Sequence, residues 1–172
     1  QAGQRLTPPR MVAAAAADVT SLAMIPRPRV AILASGDELR APGACAPDAG
    51  AIPDTVSLGV AAAAREFGGD VVHRRRLRDD LATLVAAAGQ ACDEADVVVV
   101  SGGASVGARD HARAMFEPLG LELIFSKVAM RPGKPVWFGR AGGALVLGLP
   151  GNPTAAMVTA RLFLAPLLAG LA

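Results

Sequence analysis

The sequence predicts an α/β fold in three layers, in which a mostly parallel β-sheet lies between helices on both faces. Two short, uninterrupted apolar runs, residues 30–34 and 97–100, are typical of strands that are buried on both faces. The segments around these runs alternate between strand-like and helical patterns at the spacing of βαβ units. A chain of 172 residues is long enough to form one domain with its own core.

The first 27 residues are predicted to be a lead-in segment, and residues 28–172 to be the folded domain. Thr7 and Pro8 are typical of the N-terminus of a short helix, which runs into the alanine tract at residues 13–17. A brief extended piece follows this helix, and two prolines end it before the first buried strand begins.

Within the domain, capping residues, glycines and prolines divide the chain into its elements. Gly142 and Gly143 are interpreted as the turn of a hairpin, and residues 40–51 as a loop. The predicted strands cover residues 30–34, 96–100, 121–125, 135–139 and 144–149, and a further strand begins at residues 70–73. The predicted helices run from Asp54, which can cap the first of them, to about residue 67, from 79 or 80 to about 92, from after residue 107 to about 119, and over 153–165.

Composition and charge argue against several classes of function. The net charge is +2, and the chain has one Trp and no Tyr for base stacking, so no nucleic-acid partner is expected. The apolar runs 11–25 and 155–172 are rich in alanine and interrupted by charged residues, so no membrane span or membrane partner is expected. No segment resembles a signal peptide, and we expect a cytoplasmic protein. Cys45 and Cys92 lack metal-ligand spacing and are expected to be inert thiols.

Four small or acidic residues, Ser35, Gly36, Asp37 and Glu38, follow the first predicted strand. Open parallel sheets bind ligands outside the carboxyl ends of their strands, so this position is a candidate site. The adjacent acids could bind Mg²⁺ through oxygen, or one of them could hydrogen-bond a substrate hydroxyl or ring nitrogen. A turn with a helix-capping aspartate is the structural alternative.

A glycine-rich loop, residues 101–107, follows the valine strand. Its glycines allow backbone N–H groups to approach a ligand, the next helix contributes its positive dipole end, and Ser101 and Ser105 add hydroxyl donors. The loop is therefore predicted to bind an anion of the phosphate type. It is neither a P-loop nor the dinucleotide-binding glycine motif, and a tight turn that needs small residues is the alternative.

A cationic loop occupies residues 127–135. Fifteen of the 17 basic residues of the chain are arginines, and the only two lysines, Lys127 and Lys134, fall in this loop together with Arg131. Prolines restrict the backbone here, so the three cations can be preorganised for phosphate or another oxyanion. A solvated basic loop is the alternative interpretation.

The turn before the last helix is a second candidate anion site. Asn152 can cap that helix, Pro153 suits its first position, and Gly151 keeps the approach to the helix end open. A purely structural cap is the alternative.

Further carboxylates, Asp79, Asp80 and Asp110, follow other strands. Carboxylates that converge with phosphate sites usually hold Mg²⁺, and one of the adjacent pair can cap a helix while the other coordinates. The arginine run 74–76 is interpreted as a solvated strand end. The residues alone therefore predict binding of a phosphorylated small molecule with Mg²⁺. Phosphoryl or nucleotidyl transfer, phosphoanhydride cleavage and oxyanion transfer all stay open.

Six motifs carry a family resemblance, and they occur in one order along the chain: residues 30–39, 52–55, 79–80, 101–107 with Asp110, 127–135 and 149–153. With these motifs the sequence resembles the molybdopterin-binding domain of the molybdopterin molybdenumtransferases, the family that includes the gephyrin E domain. The resemblance extends from about residue 5 to residue 172. It implies that adenylylated molybdopterin is bound, that molybdate is inserted into its dithiolene, and that the adenylyl bond is hydrolysed with Mg²⁺ to release AMP.

The resemblance also implies roles for individual residues. It gives catalytic roles to Asp79, Asp110, Lys127 and Arg131. It makes Glu38, Asp79 and Asp110 the Mg²⁺ ligands. The implied substrate-binding residues are Ser35, Gly36, Asp37, Glu38, Asp54, Ser101, Gly102, Gly103, Ser105, Lys134, Pro150, Gly151 and Asn152.

The family resemblance implies a longer enzyme than this chain. The lead-in segment would return from upstream domains, the working form would be a homodimer, and other enzymes of molybdopterin synthesis are possible partners. The sequence departs from the family pattern at Val56, where Asn is frequent, at His111, where Tyr is frequent, and at Arg131, where Lys is common. Two alternatives stay open: a molybdopterin adenylyltransferase, which shares the fold but lacks this type of cationic loop, and a non-catalytic molybdopterin-binding or scaffolding module.

Overall fold

A computed structural model gives the fold and describes residues 4–45, 50–102 and 111–172. Its strands are β1 (Arg29–Ser35), β2 (Leu39–Arg40), β3 (Ile52–Pro53), β4 (Asp70–Leu77), β5 (Val97–Ser101), β6 (Glu122–Phe125), β7 (Trp137–Ala141) and β8 (Ala144–Leu149). Six strands form one sheet in the order β4-β1-β5-β8-β7-β6, and β2 pairs with β3. Strands β4, β1, β5 and β8 are parallel, and β7 pairs antiparallel with both β8 and β6. The predicted mostly parallel sheet is confirmed.

The helices are α1 (Pro8–Ala16), α2 (Val56–Glu66), α3 (Leu81–Glu94), α4 (His111–Ala114), α5 (Pro153–Thr159) and α6 (Ala165–Leu171). A 3₁₀ turn follows α4 at Glu117–Leu119. A π-helical stretch, Ala160–Leu164, joins α5 to α6 in one continuous helix, which extends beyond the predicted end at residue 165. The first helix begins at Pro8 as predicted, and none of its side chains is buried.

Helices cover both faces of the sheet. On β1, Ala31 and Leu33 pack in an apolar cluster with α3 and α4, whereas Val30 and Ile32 pack in a second cluster with α2, α5 and α6. This division arises because successive side chains of a strand point to opposite faces. The valines of β5, Val97–Val100, are divided between the same two clusters and are at most 1% exposed. The predicted three-layer architecture is therefore confirmed.

The β7–β8 hairpin also agrees with the sequence. Gly142 and Gly143 both have positive φ, at 55° and 84°, and form the two-residue turn between the paired residues Ala141 and Ala144. Two consecutive left-handed residues suit the right-handed twist of a hairpin, which explains why this turn carries glycine twice.

The arginine run lies in the C-terminal half of β4. Strand β4 begins at Asp70 as predicted, continues to Leu77 and contains Arg74, Arg75 and Arg76. Alternate residues of β4 are exposed and half-buried, so the three arginines point to two different faces. A charged strand is stable at this position because β4 is at the edge of the sheet.

One helix in the described parts of the chain, Pro153–Leu171, is long and apolar enough to cross a membrane by length and composition alone. In this fold, one side of that helix, with Ala156, Ala160, Leu164 and Leu168, packs in the second apolar cluster. Both cysteines are unpaired, and burial raises the pKa of the Cys92 thiol to about 11. That thiol is therefore protonated at neutral pH, which agrees with the expected inert role.

Candidate functional site

A cleft of about 110 Å³ lies outside the carboxyl ends of β1 and β5. These two strands are neighbours in the sheet, and Ser35 and Ser101 are their last residues. The cleft is thus at the edge where open parallel sheets bind their ligands. Its lining residues are Ser35, Glu38, Leu39, Ile52, Pro53, Asp54, Thr55, Val56, Ser101, Gly102, Gly151 and Pro153.

The floor of the cleft is formed by Ser35 and Gly102. A Cβ atom at Gly102 would lie 2.1 Å from the Ser35 carbonyl oxygen, and the φ angle of Gly102 is +95°. No other residue fits this position, both because of the contact and because of the left-handed backbone. The Ser35 hydroxyl is buried and has no hydrogen-bond partner among the described residues. Buried hydroxyls are usually paired, so the unpaired Ser35 hydroxyl needs an explanation.

The turn before α5 closes the cleft on another side. Gly151 lies beside Gly102, with 3.9 Å between a Cβ placed on Gly151 and the Gly102 Cα atom. Asn152 Oδ1 accepts a hydrogen bond of 3.1 Å from the Ala155 amide and so caps α5, as the structural alternative predicted. Pro153 stands at the beginning of the helix. Gly102 and this turn, far apart in sequence, are therefore adjacent at one end of the sheet.

The acidic residues after β1 and β4 are also brought together. Asp37 Oδ1 accepts a hydrogen bond of 3.3 Å from the Asp79 amide, which joins the two loops. Asp80 caps α3, because its Oδ2 accepts from the Thr83 hydroxyl at 2.6 Å and from the Thr83 amide at 2.8 Å. These hydrogen bonds, with the hydroxyl contributing most, lower the pKa of Asp80. Of the adjacent acids Asp79 and Asp80, Asp80 is therefore the one that caps α3.

The remaining two acids, Asp79 and Glu38, keep their carboxylates available. Both residues are exposed, and neither carboxylate has a hydrogen bond or ion pair within the described residues. Exposed oxygen donors of this kind suit Mg²⁺, which binds one or two carboxylates together with phosphate oxygens and water. No group of three potential metal ligands occurs in residues 4–45, 50–102 and 111–172, and Asp110, the third predicted ligand, lies outside these ranges.

Asp54 lines the cleft but directs its carboxylate into the protein. The residue is 1% exposed, and its Oδ1 accepts a hydrogen bond of 3.1 Å from the Ser57 amide. Its Oδ2 accepts from the Ser57 hydroxyl and lies 3.5 Å from Nη1 of Arg74. The carboxylate predicted to bind substrate is therefore engaged in holding the N-terminus of α2.

The cationic loop lies at the same end of the sheet as the cleft, but it does not line the cleft. It leads into β7, whose first residue, Trp137, pairs with Gly148 near the carboxyl end of β8. The loop packs on α5, where a Cβ at Gly133 would be 2.5 Å from Thr159 Cγ2. Its three cations, Lys127, Arg131 and Lys134, are exposed and form no ion pair with described residues.

The structure brings six of the 17 predicted site residues to the lining of one cleft. The cleft contains Ser35, Glu38, Asp54, Ser101, Gly102 and Gly151, with Gly36, Asp37, Pro150 and Asn152 beside these residues in the chain. Gly103, Ser105 and Asp110 lie outside the described residues. The apolar wall, in particular Leu39 and Val56, was not predicted as part of the site. The short β2–β3 pair builds much of this wall, and two-residue strands leave no periodic signal in a sequence.

Comparison with known proteins gives the same family as the motifs. The family model described as "Probable molybdopterin binding domain" matches residues 31–170. A "Molybdopterin molybdenumtransferase 2" from Mycobacterium tuberculosis is 36% identical over 171 residues, covering 95% of this chain and 42% of that protein. A "Molybdopterin molybdenumtransferase" from Bacillus subtilis is 34% identical over 167 residues, covering 96% of this chain and 38% of that protein.

A solved structure agrees with these relatives. The crystal structure of a molybdopterin biosynthesis protein from Pyrococcus horikosii superimposes with a TM-score of 0.84 at 32% sequence identity, covering 98% of this chain and 41% of that chain. The chain therefore spans about two fifths of the length of the proteins that it matches.

Proposed function

The chain belongs to the family of molybdopterin-binding domains, and we propose that it is the substrate-binding domain of a molybdopterin molybdenumtransferase. In this proposal, adenylylated molybdopterin binds in the cleft and molybdate is inserted into its dithiolene. Water then adds across the phosphoanhydride bond, which releases AMP and the molybdenum cofactor. The longer protein would act as a cytoplasmic homodimer beside other enzymes of molybdopterin synthesis, without a nucleic-acid or membrane partner.

One observation carries this proposal: the buried Ser35 hydroxyl without a partner at the floor of the cleft. Ser101, the last residue of the neighbouring strand, and the Gly102 backbone stand beside it. A phosphate group placed here would accept hydrogen bonds from hydroxyl and backbone N–H donors, which bind anions strongly when water is excluded. Gly103 and Ser105 would extend this set of donors.

The cationic loop would bind the second anion. Lys127, Arg131 and Lys134 are exposed at the same edge of the sheet and have no anionic partner within the described residues. Molybdate is an oxyanion, and the packing of the loop on α5 holds the backbone that carries these cations in place. The arrangement would bring molybdate towards a ligand whose phosphate occupies the cleft.

The acids would provide the metal site and polar contacts to the ligand. Glu38 and Asp79, with Asp110, would hold Mg²⁺, and Asp37 would fix the loop that carries Asp79. When bound, Mg²⁺ supplies positive charge that neutralises the phosphate oxygens during hydrolysis. Pro150, Gly151 and Asn152 would contact the ligand through the turn before α5.

Binding to the 172-residue chain tests the role of Ser35 directly. Calorimetry with adenylylated molybdopterin should show affinity about tenfold lower or more for Ser35→Ala, because a charge-assisted hydrogen bond is lost. Ser21→Ala, which changes an exposed serine of the lead-in segment, is the matched control and should bind as the unchanged chain does. Equal affinity of Ser35→Ala and Ser21→Ala would remove Ser35 from the site.

Product analysis on the longer protein separates the proposed reaction from its alternatives. Release of AMP from adenylylated molybdopterin supports the transferase, and it should be abolished by Asp79→Ala but not by Asp93→Ala, an exposed carboxylate on α3. Release of pyrophosphate from ATP and molybdopterin would instead identify an adenylyltransferase. Tight binding without either product would identify a binding or scaffolding module.

A further inference from the structure

We propose that Arg74 is a positioning residue of the cleft, which keeps the Asp54 carboxylate turned away from the bound ligand; this inference rests on the proposed function. Arg74 is on β4 and does not line the cleft. It acts through two residues at the beginning of α2, Asp54 and Ser57, of which Asp54 lines the cleft.

The contacts form a closed triangle. Nη1 of Arg74 donates a hydrogen bond of 2.9 Å to the Ser57 hydroxyl and lies 3.5 Å from Asp54 Oδ2. The Ser57 hydroxyl in turn donates to Asp54 Oδ2, and the Ser57 amide donates to Oδ1 at 3.1 Å. Nε of Arg76 lies further away, 4.0 Å from the same Oδ2 atom. Arg74 is therefore the cation closest to this carboxylate.

Burial makes this cation necessary. Asp54 is 1% exposed and Ser57 is completely buried, so water has little access to the Asp54 carboxylate. A buried charge is tolerated only when it is paired and hydrogen-bonded. Asp54 also lines the cleft, so a carboxylate that loses Arg74 has this open space beside it.

A carboxylate turned into the cleft would oppose the ligand. The proposed ligand carries phosphate groups, and two like charges in a partly dehydrated site repel each other strongly. The segment that carries Asp54 also supplies Ile52, Pro53, Thr55 and Val56 to the cleft wall, so its displacement would change the shape of the site. Arg74 thus controls both the charge and the shape of this wall.

The neighbouring arginine is a natural control. Arg75 points to the opposite face of β4, where its Nη1 donates a hydrogen bond of 2.6 Å to Gln90 Oε1 of α3. Arg75 has the same charge as Arg74 and is next to it on β4, but it has no contact with Asp54 or Ser57 within the described residues. Any effect of charge loss in general, or of weakening β4, should therefore occur in Arg75→Gln as well.

The experiment compares four variants by calorimetry with adenylylated molybdopterin. Arg74→Gln should lower affinity about tenfold, a size typical of coupling between side chains in contact, and Arg75→Gln should leave it unchanged. Adding Asp54→Asn to Arg74→Gln should restore affinity to within about twofold of Asp54→Asn alone, because the repelling charge is gone. Equal affinity of Arg74→Gln and the unchanged chain, or a loss that Asp54→Asn does not relieve, would overturn the proposal.

Hydrogen exchange at the Ser57 amide tests the same triangle without a ligand. The amide should exchange about tenfold faster in Arg74→Gln, since its acceptor turns away, whereas Arg74→Lys should restore much of the protection. Unchanged exchange in Arg74→Gln would overturn the positioning role. Failure of the unchanged chain to bind the ligand would contradict the proposed function instead, and exchange would still decide the role of Arg74.

Discussion

The cleft and the cationic loop lie at the same edge of the sheet but are built in opposite ways. The two serines at the floor of the cleft are buried, with Ser35 at 2% and Ser101 at 3% exposure, and they are the last residues of adjacent strands. The cations of the loop are exposed and fixed only through the backbone packing of the loop. The cleft should therefore recognise the shape of a ligand, whereas the loop should contribute charge.

The largest effect is expected at the floor of the cleft. Gly102→Ala places a methyl group 2.1 Å from the Ser35 carbonyl oxygen and should abolish ligand binding, with a loss of stability of about 2–5 kcal/mol from strain and overpacking. Calorimetry and urea unfolding measure the two effects.

A matched glycine separates the contact from the backbone strain. Gly68 has nearly the same φ, +94°, but a Cβ there meets nothing within 4 Å. Gly68→Ala should therefore cost only about 1–2 kcal/mol, from the backbone alone, and leave binding intact. Equal effects of the two substitutions would show that the close approach to Ser35 has no special role.

A smaller effect, and one that depends on salt, is expected in the cationic loop. Lys134→Ala should lower the affinity for molybdate or adenylylated molybdopterin about fivefold at low ionic strength, because one attractive charge is removed. The difference should shrink in 0.5 M salt, where exposed charges are screened over about 4 Å. Arg140→Ala, an exposed cation on β7, is the control. A loss that persists at high salt would place Lys134 in direct, dehydrated contact with the ligand.

The smallest effect concerns the acid that caps α3. Hydrogen bonds from Thr83 lower the pKa of Asp80 below its ordinary value of 3.8, so its ionised form stabilises the folded state at neutral pH. That stabilisation is complete above pH 3.8 or so and should be lost as the pH falls through the lower value in the folded protein. Asp80→Asn should flatten this part of the pH profile in urea unfolding. An unaltered profile would contradict the assignment of the cap.

Much of the fold could be predicted because its signals are local. The Val97–Val100 run predicts a strand buried on both faces, and the paired glycines at 142 and 143 predict the hairpin turn. The role of the arginine run could not be predicted in this way. Arg74 is held by Asp54 and Ser57, residues of another element, and neither spacing nor periodicity in the sequence relates them.

In the candidate site, too, some features have local sequence signals and others depend on contacts between separate elements. The residue types of the two anion turns and of the acids were recognisable, and the structure brings several of them to one cleft. The direction of each side chain could not be predicted, because it depends on neighbours from other elements. Asp54 is the clearest case: the sequence predicts a helix cap, which its contact with the Ser57 amide agrees with, but the ion pair with Arg74 of another strand carries no sequence signal.

The most direct test of the account is a crystal structure of the chain with adenylylated molybdopterin, or with AMP and molybdate. We expect a phosphate group within hydrogen-bond distance of the Ser35 hydroxyl, over the Gly102 backbone, and an oxyanion near the cations of residues 127–135. A phosphate bound away from the rim formed by residues 35–38, 101–102 and 150–153, with Ser35 still unpartnered, would contradict it.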